Sequence, residues 1–344
     1  MPHQTYLEWV IRNTRTQWWH DSAEVAELAL GLERGAIGVT TNPYLANLAL
    51  VKDRQLWAPA IEAVLARKLP PEQKAEALMQ IAVTRTAEKL MPQYEASQGQ
   101  SGFVCGQVNP AHAGDRDCML PMAKRYHAWA PNIAVKLPAT SAGLDVMEDC
   151  IAEGITVTIT VSFTVPQAVA IGERHMAGIR RAQAKGIEPG KCFAVIMIGR
   201  LDDFLREVAH DTQAAVSESD IRQSGVAATK RAYQLYKKRG YQAVLLIAAL
   251  RGDYHLTEIA GADLLMSIAP AFQEIFVTRD LPREERIEQP VAADVIERLS
   301  QMPEFVRAYE PDGMSPSEFV GFGATQRTLS QFVEAGWKLM ENYR

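Results

Sequence analysis

The sequence has little of what would mark a secreted, membrane-bound or metal-framed protein. It holds four cysteines in 344 residues, Cys105, Cys118, Cys150 and Cys192, with no C-x-x-C pair and no dense spacing of the disulfide kind. Reduced, buried thiols are therefore expected. No stretch reaches the ~18 consecutive apolar residues of a membrane span, and the opening MPHQTYLEWVIRNTRT lacks the apolar core of a signal peptide. A cytoplasmic location and no membrane partner follow as expectations. Positive charge is not in surplus either: the formal net charge of -5 gives no general attraction to phosphate backbones, so nucleic acid is not an expected partner. No Gly/Ser linker, low-complexity tract or short-period repeat divides the chain, and the dinucleotide fingerprint G-x-G-x-x-G is absent.

What is present is an ordinary globular composition, 47% apolar and 22% charged, sufficient for a sizeable core. Short apolar, β-rich runs recur at about 16–20, 36–41, 102–108, 132–138, 155–162, 192–198, 243–250 and 264–268. Between them lie amphipathic stretches such as SAEVAELALGLERG, LDVMEDCIAEG and KRAYQLYKKRG, with Gly where a helix would stop. Nearly continuous apolar strands alternating with helices indicate a covered parallel sheet, and eight such units close a barrel. The expectation is a single (β/α)8 TIM barrel over 1–344, with a helical C-terminal extension from about 271 to 344. Extra helical sequence also falls at 52–95, and a doubly wound open sheet is the alternative.

Catalytic groups of such a barrel belong at the carboxyl ends of its strands. Lys136 interrupts the apolar run IAVKLPA, where a charged amine would lose its hydration. Burial favours the neutral amine, which condenses with a ketone to an imine, and the protonated imine is an electron sink for breaking a neighbouring carbon–carbon bond. The structural alternative is a lysine paired with a carboxylate or reaching to the barrel mouth. Asp21 can exchange a proton with a substrate hydroxyl, although D-S-A-E is equally a helix N-cap sequence with Asp or Ser bonding the first amides. Arg200 in IGRLDD and Arg251 in ALRGD can clamp a phosphate, or pair with Asp202, Asp203 or Asp253. His112, Asp115, Asp117 and Cys118 follow no recognised metal spacing, so no metal site is expected. Trp9, Trp18 and Trp19 are expected to pack the start of the first strand.

In chain order, GVTTNPYL, NIAVKLPATSAGL and EGITVTITVSFTVPQAVA resemble the signature segments of the transaldolase family. The resemblance continues more faintly through VIMIGRLDDF, GYQAVLLIAALR and AGADLLMSIAP, so it covers roughly 15–275. It implies a class I aldolase of carbohydrate metabolism, of the pentose phosphate kind, that needs neither metal nor organic cofactor. Lys136 would be the Schiff-base lysine and Asp21 the carboxylate that assists cleavage. Thr160 would help hold the catalytic water. Asn42, with Thr41 and Thr158, would line the donor pocket, and Arg200 and Arg251 would bind the sugar phosphate.

Three departures accompany the likeness. Gln107 stands where transaldolases carry a glutamate, and an amide can orient a water but cannot accept its proton. Glutamine there resembles the fructose-6-phosphate aldolase branch, which releases free dihydroxyacetone. Thr158 stands for the usual asparagine and Val195 for a serine. The readings that follow are a transferase moving a dihydroxyacetone unit between sugar phosphates, a lyase releasing that unit, and a sugar-phosphate-binding barrel without turnover. A metal-dependent class II aldolase ranks below these. A closed homodimer is the default for a soluble oligomer.

Overall fold

A computed structural model describes residues 4–344. Eight strands form a closed, all-parallel barrel in chain order: β1 Gln17–His20, β2 Gly38–Val39, β3 Phe103–Gln107, β4 Ile133–Pro138, β5 Val157–Thr160, β6 Cys192–Met197, β7 Val244–Ala248 and β8 Leu265–Ile268. Each falls inside or against one of the eight expected runs. The barrel closes where Gln17, Trp18, Trp19 and His20 of β1 pair with Leu265, Met266, Ser267 and Ile268 of β8. β2 is the shortest strand because its continuation leaves the ladder: the Thr41 hydroxyl donates to the Cys105 carbonyl at 2.7 Å, a side-chain bond in place of a backbone one.

Every second residue of a strand points into the barrel, which is why the aromatic run at β1 divides between two environments. Trp19 meets Phe193 of β6 edge to face at 4.6 Å, and Phe193 meets Phe103 of β3 at 5.4 Å. All three rings are buried. Trp18 and Trp19 are both buried, as the sequence suggested, while Trp9 packs against the core only in part.

Additional helices enter at two places. Pro43–Lys52, Arg54–Ala66 and Pro71–Ala96 lie between β2 and β3. After β8 come Pro270–Thr278, Ala293–Leu299, Pro303–Tyr309 and Gly323–Phe332, then a wide π turn Val333–Trp337 and a last helix Lys338–Glu341. The π turn is seated against the start of Pro43–Lys52 at Gly336, where a Cβ would stand 2.6 Å from the Tyr44 amide nitrogen. Among the described residues no helix is long and apolar enough to cross a membrane.

Two local expectations are corrected. The helix after β1 starts at Val25 with Glu24 as its cap, so neither Asp21 nor Ser22 caps it. Ser22 instead binds the Glu27 carboxylate and accepts from the Glu24 amide, which leaves the Asp21 side chain free to face the barrel mouth. Of the four free cysteines, Cys118 is exposed, because it lies in the first turn of Arg116–His127 outside the barrel.

Candidate functional site

A cavity of about 290 Å³ opens at the carboxyl ends of the strands, near the lower end of the ~300–1,000 Å³ usual for small-ligand sites. Lys136, Asp21, Asn42, Thr160, Arg200 and Arg251 all line it. Six positions separated by up to 230 residues in sequence are thus gathered into one site by barrel closure.

Lys136 lies in β4 with 6% of its surface exposed, and its Nζ donates to the Thr41 carbonyl at 3.0 Å. Among the described residues no carboxylate lies within ion-pair distance of it, so it neither salt-bridges nor reaches out to solvent. Asp21 leaves the end of β1 and accepts from the Thr40 hydroxyl at 2.7 Å; that hydroxyl is 2.6 Å from Ser267 of β8. Burial pushes the Asp21 carboxyl above its ordinary range, against the opposing pull of Thr40 and the Lys136 charge. A carboxyl raised in this way is suited to taking and returning a proton.

The Asn42 side chain caps Pro43–Lys52 by accepting from the Leu45 amide at 2.9 Å. Thr160 sits at the end of β5, immediately before Val161, whose φ of 56° is unusual for a β-branched residue. That turn is held by buried Gln167, which donates to the Val161 carbonyl at 3.0 Å and accepts from the Phe163 amide at 3.0 Å. The turn after β7 likewise passes through Ala249 at φ 61° before Arg251. Sequence reasoning attached no role to Gln167; Pro166 before it occupies the first turn of Val165–Ala184, where a missing N–H is harmless.

The two arginines are treated differently. Arg251 pairs with Asp203 at 2.7 Å and also binds the Ala249 carbonyl, so the salt-bridge alternative and a place on the cavity wall hold together. Asp253 pairs instead with Arg279. Arg200 has no carboxylate partner among the described residues. Its Nη1 donates to Gln331 Oε1 at 2.7 Å, and its guanidinium lies 5.5 Å from the Phe332 ring centre. Burial, with the neighbouring Arg251 charge, lowers its pKa to about 10.

Three expected residues do not line this cavity. Thr41 and Thr158 are buried beside Cys105, whose Sγ is 3.4 Å from the Thr158 hydroxyl. Gln107, paired with Lys136 across β3 and β4, is 2% exposed and its Oε1 has no hydrogen-bond partner among the described residues. Residues that sequence reasoning missed are Ser267, at the end of β8, and Gln331 and Phe332 from the C-terminal helix. The first carried a signal, a serine closing an apolar strand; the other two carried none.

Outside the cavity, ligand atoms of His112, Asp115 and Cys118 come within 4.8 Å of one another. Their placement has structural causes: Asp115 caps Arg116–His127, and His112 Nε2 lies 2.6 Å from the Glu72 carboxylate.

The profile of the Transaldolase/Fructose-6-phosphate aldolase family matches residues 18–315. Individual relatives include the transaldolase of Neisseria gonorrhoeae, 29% identical over 63% of this chain and 62% of its own length. A transaldolase of Neisseria meningitidis serogroup C is 30% identical over 49% and 50%, and transaldolase 1 of Streptomyces avermitilis 28% identical over 63% and 58%. The matched part thus spans between half and about three fifths of each relative.

Proposed function

The chain belongs to the Transaldolase/Fructose-6-phosphate aldolase family, and from that premise we propose a class I aldolase that carries a dihydroxyacetone unit on Lys136. The observation that supports it most is the placing of Lys136: buried, without an ion pair, and facing the same cavity as Asp21. The amine attacks the ketone carbonyl of a sugar phosphate, and loss of water from the carbinolamine gives the imine. Asp21 takes the proton of the neighbouring hydroxyl as the carbon–carbon bond breaks, the bonding electrons passing into the iminium to leave an enamine. Thr160 helps to hold the water of the proton transfers, and Asn42 receives donor hydroxyls. Arg200 and Arg251 hold the phosphate. The chemistry requires neither metal nor organic cofactor.

The enamine has two fates. In the transferase it waits for an aldose phosphate and adds to its aldehyde; in the lyase it is protonated and the imine is hydrolysed to free dihydroxyacetone. The buried amide of Gln107, whose oxygen lacks a partner, favours keeping the lyase as a second reading, since it can accept a hydrogen bond from water but cannot take its proton. We place the enzyme in the cytoplasm, where free thiols such as Cys118 stay reduced.

Borohydride trapping with fructose 6-phosphate and, separately, with dihydroxyacetone tests the mechanism. Peptide mass analysis should find a donor-sized adduct on Lys136 that is absent from Lys136→Ala. An adduct on another lysine, or turnover surviving in that variant, would overturn it.

A further inference from the structure

The helix Gly323–Phe332 ends at the cavity that holds Lys136, where exposed Gln331 and buried Phe332 form part of the wall. Both bear on Arg200. Its Nη1 donates to Gln331 at 2.7 Å and more weakly to Thr328 at 3.5 Å, while the Phe332 ring lies 5.5 Å from the guanidinium carbon. Its Nε is closed off from solvent and has no hydrogen-bond partner among the described residues.

We propose that Gln331 is a positioning residue that aims the Arg200 guanidinium at a phosphoryl group, making the site selective for phosphorylated over unphosphorylated sugars. The inference rests on the aldolase reading above and deepens it. Gln331 is a neutral amide, so it fixes the planar fork without cancelling its charge. Arg251, by contrast, already has the Asp203 carboxylate at 2.7 Å. Of the two cations on this wall, Arg200 is therefore the one whose charge is left to a ligand. A phosphate oxygen would meet the accessible edge of the guanidinium with a charge-assisted bond, which a sugar hydroxyl cannot match in strength. The helix is continued by the π turn, where Gly336 packs against the backbone of Pro43 and Tyr44 with no room for a Cβ.

The test is calorimetric titration of the full chain with inorganic phosphate, comparing wild type with Gln331→Met and Gln331→Glu. Methionine keeps the volume and removes the strong acceptor; glutamate keeps the acceptor and adds the charge that would occupy Arg200. Methionine should weaken phosphate about tenfold, the scale of one hydrogen bond to a charged group, and glutamate should weaken it further. In turnover, Gln331→Met should raise KM for a phosphorylated aldehyde by more than it lowers kcat, and should leave KM for the unphosphorylated analogue within about twofold. Equal phosphate affinity in wild type and both variants would overturn the assignment, as would a wild type that does not bind millimolar phosphate. Trapping dihydroxyacetone on Lys136 involves no phosphate, so it reports the aldolase chemistry separately.

Discussion

Asp202 is the buried charge on which the arginine side of the cavity depends, and replacing it with asparagine isolates that dependence. Asp202 and His255 are both fully buried. One carboxylate oxygen accepts from the Gly225 amide and the Ser224 hydroxyl, each at 2.9 Å; the other accepts from His255 Nε2 at 2.9 Å and the Tyr254 hydroxyl at 3.0 Å. On its far side His255 Nδ1 accepts from the Arg251 amide at 3.0 Å. The ring thus has its proton on Nε2. In Asp202→Asn the amide oxygen can serve Gly225, but the NH2 group then faces the ring N–H, donor against donor. Moving the ring proton to Nδ1 only transfers the conflict to the Arg251 amide. One buried donor stays unpaired in either tautomer, at ~1–3 kcal/mol, and charge-assisted bonds become neutral ones; relief of the buried charge offsets part of this. The expected loss is about 2 kcal/mol. At ~2.1 cal/mol/K per residue, 344 residues give an unfolding entropy of about 0.7 kcal/mol/K, so Tm should fall about 3 °C. Urea unfolding and a thermal scan under matched buffer measure both. A variant within about 0.5 kcal/mol of wild type would refute the hydrogen-bond argument.

Three further outcomes are expected. Because burial raises the Asp21 pKa, ionising it opposes folding: the penalty is absent below the ordinary carboxylate value near ~3.9 and complete above the raised one. Asp21→Asn should therefore be more stable than wild type at neutral pH, with an advantage that vanishes on acidification, while losing activity; unfolding at several pH values checks the sign. With the Arg200 pKa lowered to about 10 by burial and the Arg251 charge, phosphate affinity should fall as pH rises through that value while circular dichroism still reports a folded chain; a flat profile to pH ~11 would contradict that lowered pKa and not the phosphate contact, since an ordinary guanidinium stays charged there. Gln107→Glu restores a proton acceptor beside Lys136 and should change the ratio of released to transferred dihydroxyacetone by at least about threefold in a coupled assay with an aldehyde acceptor; an unchanged ratio would remove Gln107 from the partition.

The barrel was legible because its signals are local. Each strand is a short β-rich run, and a closed parallel barrel leaves little freedom in arranging eight of them. Lys136 stood out for the same reason, as one charge in IAVKLPA. The arginine wall was only half visible: Asp203 was among the partners weighed for Arg251, but nothing near Arg200 in sequence indicated Gln331, 131 residues away. The capping expectation at Asp21 failed because a cap residue can serve only one geometry, and the turn places the first helical residue four positions later. Thr41 and Thr158 were drawn to the cavity by strand position; in the barrel their hydroxyls meet Cys105 instead.

The seam between β1 and β8 has a kinetic consequence. Four residue pairs join strands from opposite ends of the barrel sequence, so the pairings that close the cylinder are the most distant along the chain of all the strand pairings. Their loop-closure entropy has to be met before they yield any stabilisation. Earlier strands can pair with neighbours as they are made, but β1 keeps one unsatisfied edge until β8 arrives. Refolding from denaturant should consequently be slow at this junction, and the exposed margin of β1 is where a half-built barrel would recruit another chain.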